Sequence, residues 1–167
     1  MAVTELDAFL RHQAYLEGFK NGEVEENESY FEEITAVIIL LLLRLGAAQL
    51  AAGAFDAAEQ TLAKVIRETP NSAEAEYFIG RVAFARGRTP DALTHFTRAV
   101  SLDGGKAEYH LWVARASLEM GNLGRTMEEV EAALELEPGL GDAFWLRATV
   151  EARTGAVKDA LKDDRAR

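Results

Sequence analysis

A chain of 167 residues, 49% apolar and 28% charged, is long enough for one domain with a packed core or for a short array of repeats. Its 28 acidic and 18 basic side chains leave a net charge of -10, which repels nucleic-acid phosphates and anionic lipid headgroups and excludes a general nucleic-acid binder. Cysteine is absent, which excludes disulfides, thiolate nucleophiles and thiolate metal sites.

The chain opens with "MAVTELDAFLRHQAYLEGFK", where Glu5 and Asp7 stand in place of the basic segment and apolar run of a secretory leader. The expected location is therefore the cytoplasm. Thr4 and Asp7 mark a helix start, and Leu6, Phe9, Leu10 and Leu16 form an apolar stripe that ends near Asn21 and Gly22. The next stretch, "EVEENESYFEE", is strongly acidic. Residues 1–38 hold nine acidic and two basic residues, a net of -7 out of the total -10. This run is either a solvated linker or a tether that docks on a basic groove. The expected division is an N-terminal helix and acidic linker over 1–28, then a helical array over 29–167.

A long helix is expected next, from about residue 30 to 52, roughly 34 Å at the usual rise per residue. Ser29 and Glu32 have the spacing of a capping box. Residues 34–43 are apolar on all faces except at Thr35, so this helix must be covered all round. A membrane would do so, but Arg44 near the centre of such a span costs about 2.5–3.5 kcal/mol. A span would also leave the 34-residue period of the chain one helix short. Protein cover is the better answer, and it makes Ile34, Val37, Ile38 and Leu41 candidates for packing against the N-terminal helix or another subunit.

From here the chain repeats every 34 residues: Gly53, Gly87, Gly121 and Gly155 keep that step. So do the small residues Gly46, Gly80, Ala114 and Ala148, and a third series of Ala58, Ala92, Thr126 and Ala160. Pro70 and Pro138 lie two periods apart. The windows are 39–72, 73–106, 107–140 and a partial 141–167. Each reads as helix, glycine turn, second helix. In the third, Leu111, Val113, Ala114 and Leu118, then Met127, Val130 and Leu134, recur at helical spacing. Glycine supplies the left-handed backbone that ends the first helix, and proline stops the second. Small residues let two antiparallel helices approach at their crossing.

These residues resemble the tetratricopeptide repeat, with its small residue in the first helix, alanine in the second, an aromatic four places on and a closing proline. The second window carries Gly80, Ala92, Phe96 and Ala99; the third carries Ala114, Ala133 and Pro138; the first carries Leu45, Gly46, Ala58 and Pro70. The likeness covers about 39–161. The family's usual tryptophan place holds Leu42, Glu76, His110 and Phe144 instead, and Asp164 stands where the fourth window would need an aromatic. That end is either a solvated cap or a cut within a longer array. The resemblance implies an all-α, right-handed superhelical solenoid of antiparallel helix pairs, about 3.5–4 repeats, with an N-terminal helix.

It also implies a concave face lined by first helices, at the fifth, ninth and twelfth places of each window. Here these are Leu43, Ala47 and Leu50; Tyr77, Arg81 and Phe84; Leu111, Arg115 and Leu118; Trp145 and Thr149. Such a groove suits an amphipathic or extended protein segment with carboxylates, which arginine forks hold. Alternatively Arg81 and Arg115 pair with Glu74, Glu108 or Asp142. Some family members clamp the C-terminal carboxylate of chaperones with lysines and asparagines. No asparagine stands at these places, which disfavours that function.

No catalytic chemistry announces itself. His12, His95 and His110 lack metal-ligand spacing, and no nucleophile elbow, phosphate loop or zinc motif is present. No cofactor is expected. "GNLG" at 121–124 falls on the period as a helix–helix turn, and His95 and His110 read as structural or surface residues. The leading expectation is a non-enzymatic protein-interaction scaffold, with self-association as a variant. The alternative is a small acidic chaperone of a secreted or membrane-active client.

Overall fold

The computed structural model describes residues 28–165, with side chains for residues 32–155. Seven helices and no strand occur among them. The helices are α1 (Glu28–Ala51), α2 (Phe55–Glu68), α3 (Ala73–Ala85), α4 (Thr89–Leu102), α5 (Ala107–Glu119), α6 (Leu123–Leu136) and α7 (Gly141–Arg165). The expected N-terminal helix, starting at Thr4 or Asp7 and ending near Asn21 and Gly22, lies outside the described residues.

The turns arise from local chemistry. Gly53, Gly87 and Gly121 take φ of 73°, 73° and 76°, the left-handed conformation that closes each first helix at little steric cost. Ser72 caps α3 by accepting from the Ala75 amide, and Asn122 caps α6 by accepting from Arg125. Pro90 sits in the first turn of α4, where its missing N–H is harmless. α1 begins at Glu28, so Ser29 falls inside its first turn instead of at the cap.

Helices pair as α1 with α2, α3 with α4 and α5 with α6, and each pair stacks on the next through α2 on α3, α4 on α5 and α6 on α7. Three core clusters record this order. Leu43, Leu50, Leu62 and Val65 pack with Ala75 and Val82 of the second repeat; Tyr77, Ala92 and Phe96 pack with Tyr109 and Val113 of the third; Leu111, Leu118 and Val130 pack with Ala143, Leu146 and Val150 of the last helix. A hairpin therefore completes its core only against its successor, as in linear repeat arrays.

The fourth window departs from the expected hairpin. α7 runs straight through Gly155 to Arg165. A second helix folds back only if it has apolar surface to bury, and "VKDALKDDRAR" places Asp164 where the earlier windows bury Leu62, Phe96 and Val130. The described residues form three hairpins and a half.

The small residues of the first helices act as seats. A methyl group on Gly80 would lie 2.6 Å from the Phe96 ring, and one on Gly46 2.7 Å from Leu62. Phe96 and Leu62 are fully buried, so neither can step aside. Gly80→Ala should cost about 1–3 kcal/mol in urea unfolding, through overpacking. Gly87→Ala, with open space around it, should cost only about 1 kcal/mol, through backbone conformation. Phe96→Leu added to Gly80→Ala should recover part of the first loss and none of the second.

Candidate functional site

The first helices form one face of the array, with α1 touching α3 and α5 touching α7. The structure narrows the expected surface on this face. Leu43, Leu50, Tyr77, Leu111 and Leu118 are buried, because each is covered by the stacking of neighbouring helices. Their side chains serve the core and offer a ligand little. Ala47, Arg81, Phe84, Arg115 and Thr149 are half-buried, and Trp145 is 62% exposed. Thr149 donates its hydroxyl to the Trp145 carbonyl at 2.9 Å, an intrahelical bond.

The centre of this face is built around Trp112, which the expected places missed. Its ring lies 5.5 Å from both Phe84 and Phe96 and 6.5 Å from Tyr77. The guanidinium of Arg81 sits 5.0 Å from its centroid and that of Arg115 4.9 Å, within the range where a cation is drawn to a ring face. A signal for Trp112 existed: it lies three residues before Arg115, a neighbour on a helix surface.

The two arginines differ in their partners. Arg115 pairs with Asp142 of the next helix in the face, at 2.5 Å, as the alternative reading of the sequence has it. Arg81 forms no ion pair among the described residues; its Nη1 donates to the Tyr77 hydroxyl at 3.1 Å, and that hydroxyl donates to Glu108. Burial and the hydrogen bond to Glu108 hold the Tyr77 phenol well above the usual tyrosine range, partly offset by Arg81. Tyr109 is pushed up to about 12 by burial first, then by Glu74, Asp103 and Glu108.

His95 and His110 pair with carboxylates inside their own hairpins. His95 Nδ1 lies 2.7 Å from Glu76, which Arg98 also contacts at 2.8 Å. His110 Nδ1 lies 2.7 Å from Glu129, with Arg125 at 3.7 Å. The two pairs occupy the same two places of successive windows with the residues exchanged: acid then histidine in one, histidine then acid in the next. Among the described residues no group of three or more histidine or carboxylate side chains gathers as a metal site.

The remaining candidates, on α1, lie away from this face. Ile34 and Val37 are half-buried, while Ile38 and Leu41 are about half exposed at 49% and 48%. Glu32–Ala51 is long and apolar enough by length and composition to cross a membrane, yet its Leu43, Gly46 and Leu50 pack into the first hairpin.

Helix pairs stacked at a constant 34-residue step, with small residues at the crossings, define a helical-repeat protein. The tetratricopeptide repeat pattern matches residues 43–107 and 77–139, more than half of the chain, which therefore belongs to the tetratricopeptide repeat family. Serine/threonine-protein phosphatase T of Aspergillus oryzae is 29% identical over 84 residues, 50% of this chain and 18% of the phosphatase. An O-GlcNAc transferase of Thermobaculum terrenum is 30% identical, covering 65% of this chain and 21% of the transferase, with a TM-score of 0.62. The chain thus spans about a fifth of the length of these relatives. The first tetratricopeptide domain of Spaghetti, solved with an HSP90 peptide, is 19% identical over 70% of this chain and 93% of that domain, with a TM-score of 0.67.

The exchanged acid and histidine places predict that Glu76→His alone lowers stability by about 1–3 kcal/mol in urea unfolding, and that adding His95→Glu recovers most of it. Tyr109 gives a pH dependence. Its folded value lies above its ordinary value of 10.0, so its contribution is complete below pH 10 and is lost as pH rises toward about 12, where only the unfolded chain has already ionised. The urea midpoint of the parent chain should fall more steeply across that window than the midpoint of Tyr109→Phe.

Proposed function

We propose that this chain is a non-enzymatic protein-interaction scaffold that holds a peptide segment on the first-helix face of its second and third repeats. The observation that carries this reading is Arg81: a guanidinium positioned by the Tyr77 hydroxyl and the Trp112 ring, half-buried, and with no carboxylate partner among the described residues. Arg115 is engaged by Asp142, so a ligand carboxylate would have to displace that pair. A partner with one carboxylate over Arg81 and apolar side chains toward Phe84 and Trp145 fits this surface. Peptide recognition also occurs on this fold in the Spaghetti domain solved with an HSP90 peptide, which agrees with a peptide-sized ligand.

A second reading, a small acidic chaperone for a secreted or membrane-active client, draws on the apolar side chains exposed away from the groove: Ile38, Leu41 and Leu45 of α1 and Phe144 of α7. Client protection by that route would be indifferent to Arg81.

Selection from a displayed random-peptide library tests the groove. The parent chain should enrich sequences with a carboxylate beside apolar residues, and Arg81→Glu should weaken the selected peptides at least about tenfold while leaving the unfolding midpoint near the parent value. Arg115→Glu should weaken them less. Equal binding by the parent chain and Arg81→Glu would remove the groove reading.

A further inference from the structure

Among the described residues, the first helix of the array lacks a neighbour that every later first helix has. α3 is packed by α2, α5 by α4 and α7 by α6, in each case by the second helix of the preceding repeat. The residues that take this contact can be traced by the period. Ala75, Tyr109 and Ala143 share one place and are all buried; Val82, Ala116 and Val150 share another and are all buried. The same places in α1 hold Leu41, 48% exposed, and Ala48, also exposed. Leu45, one turn from Leu41, is 49% exposed, while its counterparts Ile79 and Arg147 are half-buried and Val113 is fully buried. Ile38, Leu41, Leu45 and Ala48 thus form a stripe along α1 on the side where a preceding helix belongs.

We infer that residues 4–20 of this same chain cover the Ile38 and Leu41 end of that stripe as an antiparallel helix, taking the place of a preceding second helix. Residues 1–27 lead directly into α1 at Glu28, so the covering segment is already tethered. Leu6, Phe9, Leu10, Leu16 and Phe19 give it an apolar side of its own. Its 17 residues make about 25 Å of helix, enough to run antiparallel from the start of α1 past Leu41 to about Arg44. The seven residues 21–27 suit a connection between antiparallel helices. Folding back through them brings Leu10 beside Ile38 and Leu6 beside Leu41. This packing is independent of what the groove binds.

The chain has no cysteine, which makes disulfide trapping clean. Full-length chains carrying Leu10→Cys with Ile38→Cys, or Leu6→Cys with Leu41→Cys, are oxidised at low concentration and run on non-reducing gels. An intramolecular disulfide in a monomer, formed faster in buffer than in urea, is the expected result for at least one pair. A covalent dimer would assign the stripe to a second copy and overturn the inference, and so would failure of both pairs to cross-link. As a second measurement, maleimide labelling of a lone Leu41→Cys should be at least about tenfold slower than of Glu33→Cys, and Phe9→Asp with Leu10→Asp should remove that protection. Equal labelling of the two sites at the outset would overturn the inference even if the disulfide variants misfold.

Discussion

The distance between the two helices of a hairpin depends on one kind of contact: a buried side chain of the second helix resting where the first helix carries at most a methyl group. Phe96 lies over Gly80 and Leu62 over Gly46. With the helices this close, each hairpin buries a narrow core of its own and leaves apolar surface on both flanks, which only further helices can cover. Stacking is the result, and it imposes the 34-residue step, because each hairpin must present the same flank to its successor. The positive φ of Gly53, Gly87 and Gly121 serves this geometry by reversing the chain in a turn short enough to bring the seat and its occupant together.

The period, the turns and the small-residue crossings were legible in the sequence because they depend on backbone conformation and steric bulk, both of which residue type determines locally. The groove was legible only in part. Tyr77, Leu111 and Trp145 hold the same place in successive windows, yet the first two are buried and the third is 62% exposed. The difference lies in the next repeat. Tyr77 is covered by Tyr109 and Trp112, whereas no described helix stacks beyond α7 to cover Trp145. A place in a repeat specifies direction, while burial depends on the neighbour, and Trp112 could be weighed only once its contacts across two repeats were known. Gly155 makes the same point: its spacing matches the turn glycines, but a turn also needs a second helix with something to bury.

Charge sets a further condition on any partner. The acidic row of Glu74, Glu108 and Asp142 runs beside Arg81 and Arg115 on the first-helix face, and two of its members are already bonded there. Of the two groove arginines this leaves Arg81 without an ion pair among the described residues, while the chain as a whole carries a net charge of -10. A strongly acidic ligand would be slowed in its approach by the overall field and could be rewarded at only one point on arrival. An apolar segment with a single carboxylate meets less repulsion and gains the same contact. The aromatic cluster favours such a ligand as well, since Phe84 and Trp145 are only partly buried and lose water on contact. If the first-helix face holds a peptide as proposed, its selectivity would rest more on shape and apolar contact than on total charge, with Arg81 setting the register of the segment.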